Sequence, residues 1–157
     1  MKSTTTTLLL FLLHSSIAAG GFYSECSPSW SLGYRGSSHF IVATCPGTAY
    51  ANASSITSAL SLGDCLANDE GSLEAQALGG AMSFCRDCHG VNGTAKLLCD
   101  CRETGGYYIT SVINLDTVIE NNNGILSCFG LPGTSGNFQG GFNAVVDAEI
   151  ALSFYSH

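Results

Sequence analysis

Ile56–Leu73 reads ITSALSLGDCLANDEGSL, and Ile109–Leu126 reads ITSVINLDTVIENNNGIL. The two stretches align without a gap at an offset of 53. Seven of 18 positions are identical: Ile56/Ile109, Thr57/Thr110, Ser58/Ser111, Leu62/Leu115, Asn68/Asn121, Gly71/Gly124 and Leu73/Leu126. Leu60/Ile113 and Leu66/Ile119 keep aliphatic character. Two copies are too few for a stacked solenoid and suit one domain with internal pseudo-symmetry.

Each copy opens with alternating apolar and polar residues, Ile56–Leu62 and Ile109–Leu115, the period of a half-buried strand. Asp64–Ala67 and Asp116–Ile119 allow a single helical turn, with Asp as its cap. Asn68-Asp69-Glu70-Gly71 and Asn121-Asn122-Asn123-Gly124 then predict tight reversals, since Asn and Gly tolerate positive φ. Upstream, His39–Cys45 (HFIVATC) and Ala95–Cys101 (AKLLCDC) read as matching strands. No stretch sustains a 3.6-residue period, so the expected class is all-β.

The first 20 residues carry Lys2, a short apolar run at Leu8–Leu13, and small residues at Ser16, Ala18, Ala19 and Gly20. That pattern predicts a secretory signal peptide over 1–20, because the run is far shorter than the ~20 residues of a membrane span. The expected product is extracellular and not inserted in a membrane. Without that segment, four Lys and Arg face 12 Asp and Glu, a net charge of −8. So acidic a chain is a poor nucleic-acid partner, since phosphate binding draws on cations. Eight cysteines in an exported chain read as disulfides, although eight allow 105 pairings. Asn52-Ala53-Ser54 and Asn92-Gly93-Thr94 are acceptors for N-glycosylation. Residues 130–143 are Gly-rich and read as a linker, and Ala144–Tyr155 is apolar enough to pack as a strand or short helix.

These features resemble the cyanovirin-N homology family. The match runs from about Phe22 to Cys128 and includes a Phe-x-x-x-Cys start at Phe22–Cys26. It also includes a strand ending in cysteine at Phe40–Cys45, and a Ser-x-Ile-x-Leu…Ile-x-Asn-x-x-Gly-x-Leu signature at Ser111–Leu126. The resemblance implies an all-β lectin of two pseudo-symmetric modules, each built from strands of both repeats. The expected domain is 21–129, with repeat one at about 21–78, repeat two at about 79–129, and 130–157 as an extension. The resemblance implies bridges Cys26–Cys45 and Cys85–Cys101. The flanks of the Asn92-Gly93 loop suggest Cys88–Cys99, which leaves Cys65–Cys128.

Family members carry one pocket for α-mannosides at each end. By position, the first pocket takes Ser24, Glu25, Thr48, Asn121 and Asn123, with Pro46 and Gly47 departing from a usual polar pair. The second takes Asn68, Glu70, Arg102, Glu103 and Thr104. It departs further, at Ala67, Gly79-Gly80 and Phe84, so the first pocket is preferred. Asn68 and Asn121 are also residues that a turn selects for itself. The implied partners are high-mannose glycans, for a monomer or a strand-swapped dimer, and the implied source is a fungus. No cofactor or metal is expected. Cys85-x-x-Cys88, Cys99-x-Cys101 and His89 would suit zinc only in a reducing compartment.

Catalysis is not expected. His39 and His89 read as surface residues, and no Gly-x-Ser-x-Gly or His-Glu-x-x-His motif is present. The rival reading is an exported interaction module or effector on the same fold that has lost sugar binding.

Overall fold

A computed structural model describes residues 21–26, 30–47, 55–136 and 138. The expected signal peptide, Thr48, Asn52 and Ala144–Tyr155 lie outside them. Twelve strands are assigned among the described residues: β1 (Ser31–Arg35), β2 (Ser38–Cys45), β3 (Ile56–Ser61), β4 (Leu66–Asp69), β5 (Ser72–Ala75), β6 (Cys85–Gly90), β7 (Lys96–Arg102), β8 (Tyr108–Asn114), β9 (Glu120–Asn122), β10 (Ile125–Cys128), β11 (Leu131–Pro132) and β12 (Thr134–Ser135). One helical turn, α1, spans Phe22–Glu25. The chain is all-β, as its alternation predicts.

Two antiparallel three-strand units recur, β1-β2-β3 and β6-β7-β8, each followed by a hairpin, β4-β5 or β9-β10. The hairpins cross over. β10 of the second repeat packs on β3 of the first, and β5 of the first packs on β8 of the second. The repeated residues make this exchange. The Leu126 amide donates to Ser58 Oγ at 2.9 Å, and the Leu73 amide donates to Ser111 Oγ at 2.8 Å. Gly124 lies on Ile56, and Gly71 on Ile109, so closely that a Cβ would come within 2.8 and 2.4 Å of those side chains. Four of the seven identities (Ile, Ser, Gly and Leu) are therefore two halves of one contact, made twice across the repeats.

Leu62 and Leu115 are fully buried in a single core with Phe22, Ile41, Leu60, Leu66, Leu97, Ile119 and Leu126. Each such side chain contributes about 1.5–3 kcal/mol of apolar burial. Each hairpin packs on a strand of the other repeat, so the repeats fold as one body.

Four bridges close: Cys26–Cys45, Cys65–Cys128, Cys85–Cys101 and Cys88–Cys99. Cys65–Cys128 joins one repeat to the other. All eight cysteines are spent in these bridges, so the thiolates that a zinc site requires are absent.

Three sequence expectations need correction. Leu131–Ser135 is not linker: Leu131 and Pro132 pair with β10, and Thr134 and Ser135 with Ala59 and Ser58 of β3. Gly133 makes this possible, because its Cα passes so close to Ala59 that a Cβ would sit 2.4 Å from the Ala59 carbonyl oxygen. The helical turns start earlier than expected, as 3₁₀ turns at Leu62–Asp64 and Leu115–Thr117. Asp does not cap them; the cap of the second is Asn114, whose side chain accepts from the Asp116 amide. His39 is buried, not at the surface. Burial holds its pKa below the ordinary histidine value, and its ring meets Tyr34 edge-on.

Candidate functional site

Both hairpin reversals have two successive residues at positive φ, Glu70 (48°) with Gly71 (88°) and Asn123 (51°) with Gly124 (95°). This is the geometry that tight two-residue hairpins demand. The asparagine preceding each turn spans it. Asn68 Oδ1 accepts the Gly71 amide at 3.0 Å, and Asn121 Oδ1 accepts the Gly124 amide at 2.7 Å. The other end of each amide reaches into the opposite repeat. Asn68 Nδ2 donates to the Arg102 carbonyl at 2.7 Å, and Asn121 Nδ2 to the Pro46 carbonyl at 3.1 Å. Arg102 and Pro46 each follow the last cysteine of their strand, so the two clasps are equivalent. Turn formation and site building are thus one role.

At the Asn68 end lies an open hollow of about 280 Å³, lined by Asn68, Glu70, Phe84, Arg102, Glu103 and Thr104. All five residues expected for the second pocket line it. The sixth, Phe84, is expected from the sequence only as a departure; it is 54% exposed at the hollow. Glu70 bonds Thr104 twice: its Oε2 accepts the Thr104 amide at 2.9 Å, and its Oε1 accepts the Thr104 hydroxyl. These bonds hold the Glu70 carboxyl below its usual pKa, so it is ionised and fixed in place. The loop beyond is closed by Glu103, whose amide donates to the Tyr107 carbonyl at 3.0 Å and whose carbonyl accepts the Gly106 amide at 2.9 Å. A guanidinium, a carboxylate, a hydroxyl and an aromatic ring therefore converge on one open hollow.

The Asn121 end differs. Glu25 reaches Asn121 Nδ2 at 3.1 Å, and Ser24 Oγ donates to the Gly21 carbonyl at 3.0 Å. Asn123 is exposed at the turn tip. Gly47 runs so close beneath the turn that a Cβ there would lie 2.7 Å from the Asn123 carbonyl oxygen. Glu25 and Asn121 come together, with Ser24 next to Glu25 in the chain and Asn123 in the Asn121 turn, and Thr48 lies outside the described residues. Among the described residues, a hollow is formed at the end whose sequence departs further.

His89 is exposed, with Nδ1 3.0 Å from the Asp87 carbonyl oxygen. Asn92 is exposed in the turn between β6 and β7. Among the described residues, no three His, Cys, Asp or Glu side chains gather as a metal site.

The CVNH domain, as a family model, matches residues 22–127 of this chain. No curated protein sequence matches it. Among solved structures, microvirin, solved as a complex with mannobiose, is similar at 25% identity, with a TM-score of 0.54, covering 69% of this chain and 98% of that one. A variant of MoCVNH3 in complex with (N-GlcNAc)4 is similar at 20% identity and a TM-score of 0.57, covering 70% and 97%. GzCVNH of Gibberella zeae is similar at 19% identity and a TM-score of 0.52, covering 68% and 95%.

Proposed function

The chain belongs to the CVNH family, and from that premise we propose that it is a lectin whose principal site is the hollow at the Asn68 end. The observation that carries this reading is the convergence of Arg102, Glu103, Thr104 and Glu70 with exposed Phe84 around one shallow opening. Vicinal hydroxyls of a sugar are donors and acceptors together, and a carboxylate beside a guanidinium answers both. The apolar C–H face of a pyranose suits the Phe84 ring. Microvirin's mannobiose complex supports a mannose-type ligand. An exported lectin is part of the same reading: Lys2, the apolar run after it and four disulfides fit an oxidising extracellular setting.

Isothermal titration of the purified chain with mannobiose tests the proposal. Binding should weaken about fivefold in Arg102→Ala, the loss of ~1 kcal/mol expected for one hydrogen-bonding group. Equal affinity of Arg102→Ala and wild type would remove the site from this hollow. A second reading, an interaction module without sugar binding, draws on the exposed apolar side chains Tyr108 and Val112, which share one face of β8. It would be favoured by silence across a glycan array together with capture of a protein ligand through that patch.

A further inference from the structure

A second cavity shares no lining residue with either clasp. It lies at the seam where β1 of the first repeat meets β6 and the β6–β7 turn of the second. Its volume is about 460 Å³, within the usual range of small-ligand pockets. Trp30, Leu32 and Tyr34 alternate along the first-repeat side, facing His89, Asn92 and Thr94 on the other. The aromatics are fixed in place. The Trp30 indole N–H donates to the Thr94 carbonyl at 2.9 Å, and the Tyr34 hydroxyl donates to the Cys88 carbonyl at 2.7 Å. Phe22 meets the indole edge-on at 6.4 Å. Gly90 lets the indole lie against β6, since a Cβ there would fall 2.6 Å from the ring.

The lining decides the ligand class. It contains no Asp, Glu, Lys or Arg. A phosphate would find no cation and a metal ion no carboxylate. A fully apolar ligand would leave the polar groups of His89, Asn92 and Thr94 beside it without exchange for water. Two aromatic rings beside hydroxyl, amide and imidazole groups suit a neutral ring with one apolar face and a hydroxyl rim. We propose that this seam cavity is a second saccharide site, which seats a pyranose against Trp30 and Tyr34 with Asn92, Thr94 and His89 at its edge. The sugar has two sources: a free glycan, or the first residues of a glycan attached to Asn92, which stands in the acceptor triplet Asn92-Gly93-Thr94 on the cavity rim.

Trp30 is the only tryptophan of the chain, so its emission reports this cavity alone. The test titrates mannobiose and, separately, (N-GlcNAc)4 into full-length mature chain made without glycosylation, in the Arg102→Ala/Glu103→Ala background that disables the other hollow. A saturable change in Trp30 emission is expected, with at least a tenfold weaker response in His89→Ala/Asn92→Ala, which strips the polar edge. Near-ultraviolet dichroism checks that this variant keeps its fold. For the attached source, the chain secreted from a eukaryotic host is compared before and after enzymatic removal of N-glycans. A shift in Trp30 emission on removal, absent in Asn92→Gln, assigns the cavity to the chain's own glycan and supports the proposal. No emission change in either arm overturns it, as does a free-glycan response that His89→Ala/Asn92→Ala leaves intact.

Discussion

The two ends of the molecule are built from the same clasp and finished differently. At each, an asparagine closes a hairpin turn and ties it to the residue after a strand cysteine of the other repeat. The residues beyond that cysteine set the ends apart. Arg102-Glu103-Thr104 raises long side chains around the Asn68 turn, while Pro46-Gly47 lets backbone pass directly under the Asn121 turn. Phe84 stands before Cys85 at one end, where Glu25 stands before Cys26 at the other. Glu25 is drawn onto Asn121, whereas Phe84 faces outward. Identity between the repeats thus marks the joint, and difference between them marks the site. A polar residue that recurs in both copies is first of all holding the halves together.

The strongest way to break the comparison is to cut the covalent link between the halves. Cys65→Ala/Cys128→Ala opens a closure of 63 residues, which in the chain-entropy view costs about 4 kcal/mol. Cys88→Ala/Cys99→Ala, within one module, opens a closure of 11 and should cost about 3 kcal/mol. Urea unfolding of both double variants measures the order, and a reversed order would mean that the halves are not joined mainly through this bridge.

The next effect concerns the two equivalent serines. Ser58 is fully buried and Ser111 half-buried. Ser58→Ala strands the Leu126 amide away from water and should cost about 2 kcal/mol, against about 1 kcal/mol for Ser111→Ala. Equal midpoints in denaturant would show that solvent reaches both joints alike.

Smaller is the effect of making one end resemble the other. Glu103→Gly puts at the Asn68 end the residue found at Gly47, and should weaken mannobiose binding about fivefold while leaving the melting temperature within a few degrees. Undiminished affinity, read by titration, would mean that the wall of the hollow is not what distinguishes the two ends.

The smallest is a dependence on pH. The folded Glu70 carboxyl has a lowered pKa because it accepts two bonds from Thr104. A depressed carboxylate supports the Thr104 contact above its unfolded pKa of ~4.3 and loses that support as pH falls through the folded value. Affinity should therefore be flat with respect to Glu70 from pH 7 to 5 and decline only in stronger acid. Glu70→Gln should flatten that acid limb. A decline centred above pH 5 that survives in Glu70→Gln would assign it to another group.

Much of this was legible in the chain itself. Alternation in Ile56–Leu62 and Ile109–Leu115 selected strands, because side chains on a pleated backbone point to opposite faces in turn. Asn and Gly at matched places selected the reversals. Recurrence at a fixed offset announced two halves, since one surface of each has to meet the same surface of the other. The Gly-rich run at 130–136 misled, because glycine also serves where backbones pack closely, as Gly133 does on Ala59. Trp30, Leu32 and Tyr34 share the period of two that puts them on one strand face, yet nothing local says that His89 and Asn92 stand opposite.

The sequence alone determined which elements form and that they form twice, because those outcomes rest on local stereochemistry and on periodic burial. Only the tertiary structure decided what each hairpin turn is clasped to and where the seam lies. Those depend on residues distant along the chain, Asn68 with Arg102 and Trp30 with Thr94, coming within hydrogen-bonding distance once the hairpins have crossed.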